Sequence, residues 1–83
     1  MVTHSFGGFL WPENDKVTPA VVMREVERLP AYLKYVSNRR VCVQAGGNVG
    51  VYAERLAGQF GAVLTFEPDP DNWHCLQRNI TAP

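Results

Sequence analysis

Apolar residues recur along this chain at two different periods, and the places where the period changes divide it into elements. Val22, Val26 and Leu29 fall at i, i+4 and i+7, the spacing of one helix face. Thr18-Pro19 ahead of them supplies an N-cap residue and a proline at the first helical position. Arg24, Glu25, Glu27 and Arg28 cover the remaining surface. The pattern predicts a helix over 18–37, kinked or restarted at Pro30, with Leu33 and Val36 continuing the apolar side.

Val41 to Ala45 is then an almost continuous apolar run, as expected of a strand covered on both faces in a parallel sheet. Ala53, Leu56, Ala57 and Phe60 return to helical spacing and predict a helix over 49–60, with Gly61 as its left-handed stop. Ala62 to Glu67 reads as a second apolar strand that ends on an acid. Asp69-Pro70 repeats the capping signature, and Trp73, Leu76 and Ile80 place a stripe on a last helix over 70–80. Two consecutive strands joined by a helix of this length pair in parallel, with a right-handed crossover. The expected class is α/β, a βαβα unit over 18–83 with a helical preface.

Residues 1–17 show neither period. Gly7-Gly8 and Pro12-Glu-Asn-Asp15 read as an irregular N-terminal arm. Two roles fit its apolar residues. Phe9, Leu10 and Trp11 cap an exposed apolar edge, or Trp11 and Pro12 help to form a substrate mouth.

Composition narrows the class of function. The 83 residues make one small domain at most, burying only roughly 60% of the surface an unfolded chain of this size exposes. Eight basic and eight acidic residues cancel, so no net field draws the chain to nucleic acid or to an anionic membrane. Apolar residues at 46% argue against disorder, and no apolar run approaches the roughly 20 residues that span a bilayer. The first ten residues lack the basic and apolar regions of a secretory signal, so a cytoplasmic location is the default expectation. Cys42 and Cys75 have no ligand spacing and read as reduced, structural thiols, and His4 and His74 have no metal-site neighbours; no metal is expected.

The chemistry concentrates between the two strands. A bound nucleoside needs backbone it can approach at the end of one strand and a carboxylate at the end of the next. Gly46, Gly47 and Gly50 offer the first, since glycine lacks a Cβ. Glu67 offers the second, two acceptor oxygens that can take a vicinal diol.

Ala45-Gly46-Gly47-Asn48-Val49-Gly50, followed by Phe66-Glu67-Pro68-Asp69-Pro70-Asp71-Asn72 and the tail Arg78-Asn79-Ile80, resembles the first motifs of S-adenosylmethionine-dependent methyltransferases of the FkbM-like family. The likeness covers residues 38–81, about half the chain. It implies a partial Rossmann-like methyltransferase fold with S-adenosyl-L-methionine as cofactor. Gly46, Gly47, Asn48 and Gly50 would shape the turn near the methionine moiety, and Glu67 would bind the ribose diol. Gln44 departs from the family, which usually has Asp there; a neutral amide lacks the attraction for the ligand's ammonium and sulfonium but keeps hydrogen-bonding ability. The rival is a dinucleotide-binding unit, which would need a glycine where Ala45 stands and a helix N-terminus aimed at a pyrophosphate. A third reading makes the glycines no more than a tight turn and Glu67 a solvated acid.

In the resembled family, the methyl acceptor and any base lie after later strands. No catalytic residue is therefore nominated, and the isolated chain is expected to be inactive. Two strands leave both sheet edges open. The chain is accordingly expected to be the N-terminal part of an interrupted or split enzyme, or a non-catalytic mini-domain. The open edges would then be met by a complementary chain or by self-association.

Overall fold

A computed structural model describes residues 1–80, and the expected domain's last three residues lie outside the described residues. The chain is a small α/β domain with two separate two-stranded sheets. In order come β1 (Thr3–Phe6), β2 (Phe9–Pro12), α1 (Thr18–Val26), α2 (Leu29–Leu33), β3 (Val41–Ala45), α3 (Val51–Ala57), β4 (Ala62–Phe66) and α4 (Pro70–Asn79).

The N-terminal arm is not irregular. β1 and β2 pair antiparallel, Phe6 opposite Phe9, around Gly7-Gly8. Both glycines have positive φ, 61° and 85°, as a two-residue hairpin turn requires. The substrate-mouth reading of Trp11 falls with this. Its indole is fully buried, its Nε1 donates to the Phe6 carbonyl at 3.1 Å, and it sits in a cluster with Val22, Val26, Val49, Val51 and Cys75. Rather than capping an edge, the arm supplies the centre of the core, and Leu10 and Phe9 pack around it.

The 18–37 helix divides in two near Pro30, as expected, but its second part closes at Leu33 rather than at 37. Pro30 has no N–H to return to Val26, so the first helix ends and α2 starts with the proline in its opening turn. Thr18 is not the cap. The Asp15 carboxylate accepts the Val17 and Thr18 amides at 3.2 and 3.0 Å, so the capping acid stands three residues earlier. Asp69 does cap α4, accepting from the Asp71 and Asn72 amides.

The last turn of α3 tightens at Gly58 and Gln59, whose amides reach back only three residues, and the helix closes at Ala57 instead of Phe60. Gly61 is not a left-handed stop. Its role is clearance, because a Cβ there would meet the Arg40 carbonyl oxygen at 2.8 Å. The Gly61 and Ala62 amides donate to Arg39 and Arg40, which sets the parallel register of β3 and β4 from Val41 opposite Ala62 to Ala45 opposite Phe66.

One face of this sheet carries Cys42, Gln44, Val63 and Thr65, all half-buried. The other carries Val41, Val43, Ala45, Ala62, Leu64 and Phe66, all exposed. The expectation of cover on both faces is therefore not met among the described residues. No helix here is long and apolar enough to cross a membrane, and no group of His, Cys, Asp and Glu could hold a metal ion, again among the described residues.

Candidate functional site

The glycine turn leaves β3 at Ala45, and Glu67 follows directly on β4. Parallel pairing of the two strands therefore brings the turn and the acid to the same end of the sheet. Gly47 N–H donates to the carbonyl of Phe66, the last residue of β4, at 2.8 Å, extending the ladder past the end of β3.

Beyond that step Glu67 takes over. Its Oε1 accepts the Asn48 amide at 2.6 Å and its Oε2 accepts the Asp69 amide at 2.9 Å. One carboxylate thus ties the glycine turn to the turn that starts α4. Each carboxylate oxygen can accept more than one hydrogen bond, so Glu67 keeps acceptor capacity beyond these two amides. A half-buried acid held on both sides by backbone has a fixed direction.

Asn48 adopts the left-handed conformation at φ 54°, and its side-chain oxygen accepts the amide of Val49. Short polar side chains tolerate this region by such local bonding. Val49 behind it is wholly buried in the core cluster, which anchors the turn from below.

The three glycines differ in what surrounds them. Gly46 is exposed at φ 71°, and a Cβ built on it would meet nothing within 4 Å. Gly47 is buried, its Cβ direction filled by the Thr65 hydroxyl and by Leu76 Cδ1. At Gly50 a Cβ would meet Ile80 side-chain atoms at 3.2 Å. Only at Gly46 is the backbone approachable from outside; the other two serve packing against β4 and α4.

Gln44 points to the half-buried face, where its Oε1 accepts the Thr65 hydroxyl at 2.8 Å. Its carbonyl is thus engaged inside the chain, and its amide N–H groups donate to no other group among the described residues. Gly46, Gly47, Asn48, Gly50 and Glu67 come together at the end of the sheet, with Gln44 beneath.

In the sequence Asn79 stands out only as part of a tail motif. Its Nδ2 donates to the Leu10 and Val49 carbonyls at 2.9 and 2.8 Å, and its Oδ1 accepts the Leu10 amide at 2.8 Å. The amide side chain bridges hairpin, last helix and glycine turn. The signal was an amide residue at the end of an otherwise apolar helical stripe, where a polar group must find partners if it is buried.

Two clefts open elsewhere on the described residues. One, of about 480 Å³, is bounded by α1, α2 and the end of α3. The other, of about 610 Å³, runs along the free edge of β4 beside Phe60, Trp73 and Ile80. Neither includes Gly46, Asn48 or Glu67. No family model, curated protein or solved structure matches this chain significantly.

Proposed function

We propose that residues 41–69 are the nucleoside-binding part of a methyltransferase cofactor site for S-adenosyl-L-methionine, of the FkbM-like kind. The single observation that carries this reading is the joining of the turn to the acid, Glu67 Oε1 on the Asn48 amide at 2.6 Å beside the open backbone of Gly46. A ribose offers two neighbouring hydroxyls, and Glu67 has acceptor capacity left for them after its two backbone bonds. Gly46 would let the ligand lie against the main chain. The group present at each position fits the nucleoside end of the cofactor.

Gln44 fits the methionine end less closely. It brings no charge to the ammonium, and its carbonyl already serves Thr65. The cofactor, when bound, supplies an activated methyl group, and transfer from a sulfonium depends mainly on holding acceptor and methyl in line. What this chain's residues contribute is binding and orientation: Glu67 fixed by two amides, the turn fixed by Asn79 and Val49. A partial Rossmann-like arrangement, not catalytically complete in these residues, accords with that role.

Equilibrium dialysis against S-adenosylmethionine, S-adenosylhomocysteine and NAD tests it. Binding of both sulfur nucleosides is expected, weakened by more than about 1 kcal/mol in Glu67→Ala. Binding of NAD alone would favour the dinucleotide reading and overturn this one.

A second reading has its own observation. The face built from Val41, Val43, Ala45, Ala62, Leu64 and Phe66 is apolar and exposed. An exposed apolar patch of this kind is a common mark of an interaction surface. On this reading the chain is a mini-domain that associates with a second copy through its parallel sheet. Sedimentation equilibrium across a range of concentrations distinguishes the two: a monomer throughout sinks the association.

A further inference from the structure

The cleft between α1, α2 and the end of α3 has a feature that neither reading above uses. Its floor is apolar, formed by Met23, Val26, Leu29 and Leu33, the first three belonging to or packed against the core cluster. Its rim is basic. Lys34, Arg39 and Arg55 stand there against one acid, Glu27.

The cations differ in how far the fold uses them. Arg39 donates from Nε to the Val36 carbonyl, from one terminal nitrogen to Gln59 and from the other to the Leu33 carbonyl, at 3.1, 2.8 and 2.7 Å. Those bonds hold α2 to the end of α3, and they leave the guanidinium with no carboxylate. Among the described residues the salt bridges are Lys16–Glu13 and Arg55–Glu54. Lys34 therefore meets no carboxylate either, and Arg55 has only its exposed chain neighbour. With Glu27 on the rim and Glu54 beside Arg55, three cations still outnumber the acids over an apolar floor, a balance that complements an anion with an apolar tail.

We propose that this cleft binds a small amphiphilic carboxylate, its chain on Met23, Val26, Leu29 and Leu33 and its headgroup between Lys34 and Arg55. The volume of about 480 Å³ lies within the range of roughly 300–1,000 Å³ typical of small-molecule sites. Arg39 positions the rim, and Lys34 and Arg55 supply the charge that discriminates. The proposal is independent of the nucleoside site, which lies at a different end of the domain.

The probe is decanoate, with decyltrimethylammonium as a cation of matching tail, each titrated into the isotope-labelled full chain and followed by amide chemical shifts. Decanoate should saturate, with its largest shifts at Leu33, Lys34, Arg55 and Gln59, and the cation should bind far more weakly. The double variant Lys34→Gln/Arg55→Gln should weaken decanoate about five- to tenfold, as expected for two charges at a partly solvated rim. Absence of saturation, equal binding of anion and cation, unchanged affinity in the variant, or shifts centred on Leu64 and Trp73 would each overturn it. If far-UV circular dichroism finds the variant unfolded, the anion–cation comparison on the unaltered chain still decides.

Discussion

The Asn48 amide and the Glu67 carboxylate meet at 2.6 Å, and this contact makes Glu67, the proposed ribose ligand, a structural brace. A charged acceptor on a backbone donor contributes about 1.5–3 kcal/mol, and Glu67 makes two such bonds. Glu67→Ala is therefore expected to lower unfolding free energy by about 2–3 kcal/mol, and Glu67→Gln, which keeps one carbonyl oxygen, by less. Urea unfolding followed by tryptophan fluorescence measures this. An unchanged midpoint in Glu67→Ala would remove the brace.

Asn79 joins residues 69 apart in sequence, since its side chain both donates to and accepts from Leu10. Asn79→Ala leaves those partly buried groups and the Val49 carbonyl without a partner and should cost about 2–3 kcal/mol. Asn79→Asp is the sharper probe. At neutral pH it turns an acceptor toward two carbonyl oxygens, so its loss should match or exceed that of alanine. Relative to the parent chain at the same pH, it should recover as the acid protonates and can donate again. No recovery would mean that the bridge is not carried by the Nδ2 donor.

What was legible in the sequence was whatever rests on local periodicity. Val41–Ala45, Ala62–Phe66 and Pro70–Asn79 are where the alternation of apolar runs and helical stripes puts them, within a residue or so. Their parallel pairing follows from a short helical connection. The hairpin was hidden because Thr3–Phe6 and Phe9–Pro12 are too short to establish a period, although Gly7-Gly8 between two aromatics was a turn signal in itself. Trp11 at the centre of the core could not be inferred, since nothing local to residue 11 specifies contact with Val49 and Cys75. At the site, the glycines and Glu67 were legible as types. That Gly47 and Gly50 serve packing and Gly46 alone faces open space depends on Thr65, Leu76 and Ile80, which only folding brings near.

Asp15 gives the domain an acid-sensitive point. Burial raises its pKa, but hydrogen bonds from Thr18 and Val17 and the charge of His4 outweigh that, and the carboxyl lies below its ordinary 3.8. A folded-state value below the unfolded one means the contribution is complete above about pH 4 and disappears as pH falls through the folded value. Asp15→Ala should cost about 1 kcal/mol at neutral pH, the usual value of a lost cap. In Asp15→Asn the loss of stability on acidification should be shallower than in the parent. Parallel curves for the two proteins would contradict the assignment.

The two thiols should separate kinetically. Cys75 is fully buried; burial first, then the charge of Asp71, raises its pKa, with Arg78 partly opposing. Cys42 is half-buried on the sheet. Because the thiolate is the reacting species, a disulfide reagent should modify Cys42 readily and Cys75 only when the core opens. The slow phase should accelerate in urea in step with unfolding. A single phase counting both thiols in the native protein would show that the cluster around Trp11 is looser than its burial implies.

The contrast between Gly46 and Gly47 separates a turn that is open from one that is packed. Gly46→Ala meets no neighbour, so its cost is the left-handed φ of 71° alone, about 1–2 kcal/mol. Gly47→Ala drives a Cβ onto the Thr65 hydroxyl and to 2.9 Å from Leu76 Cδ1, an overpacking that should cost about 1–3 kcal/mol and disturb the Thr65–Gln44 bond. The Thr65 oxygen is the nearest obstacle, so Gly47→Ala combined with Thr65→Ala should be less destabilised than the sum of the two single variants. Contacting residues ordinarily show such coupling, at about 0.5–3 kcal/mol. Strict additivity in a double-mutant cycle would mean that Gly47 is not held against β4 by Thr65, and that the buried half of the turn is kept by something other than this contact.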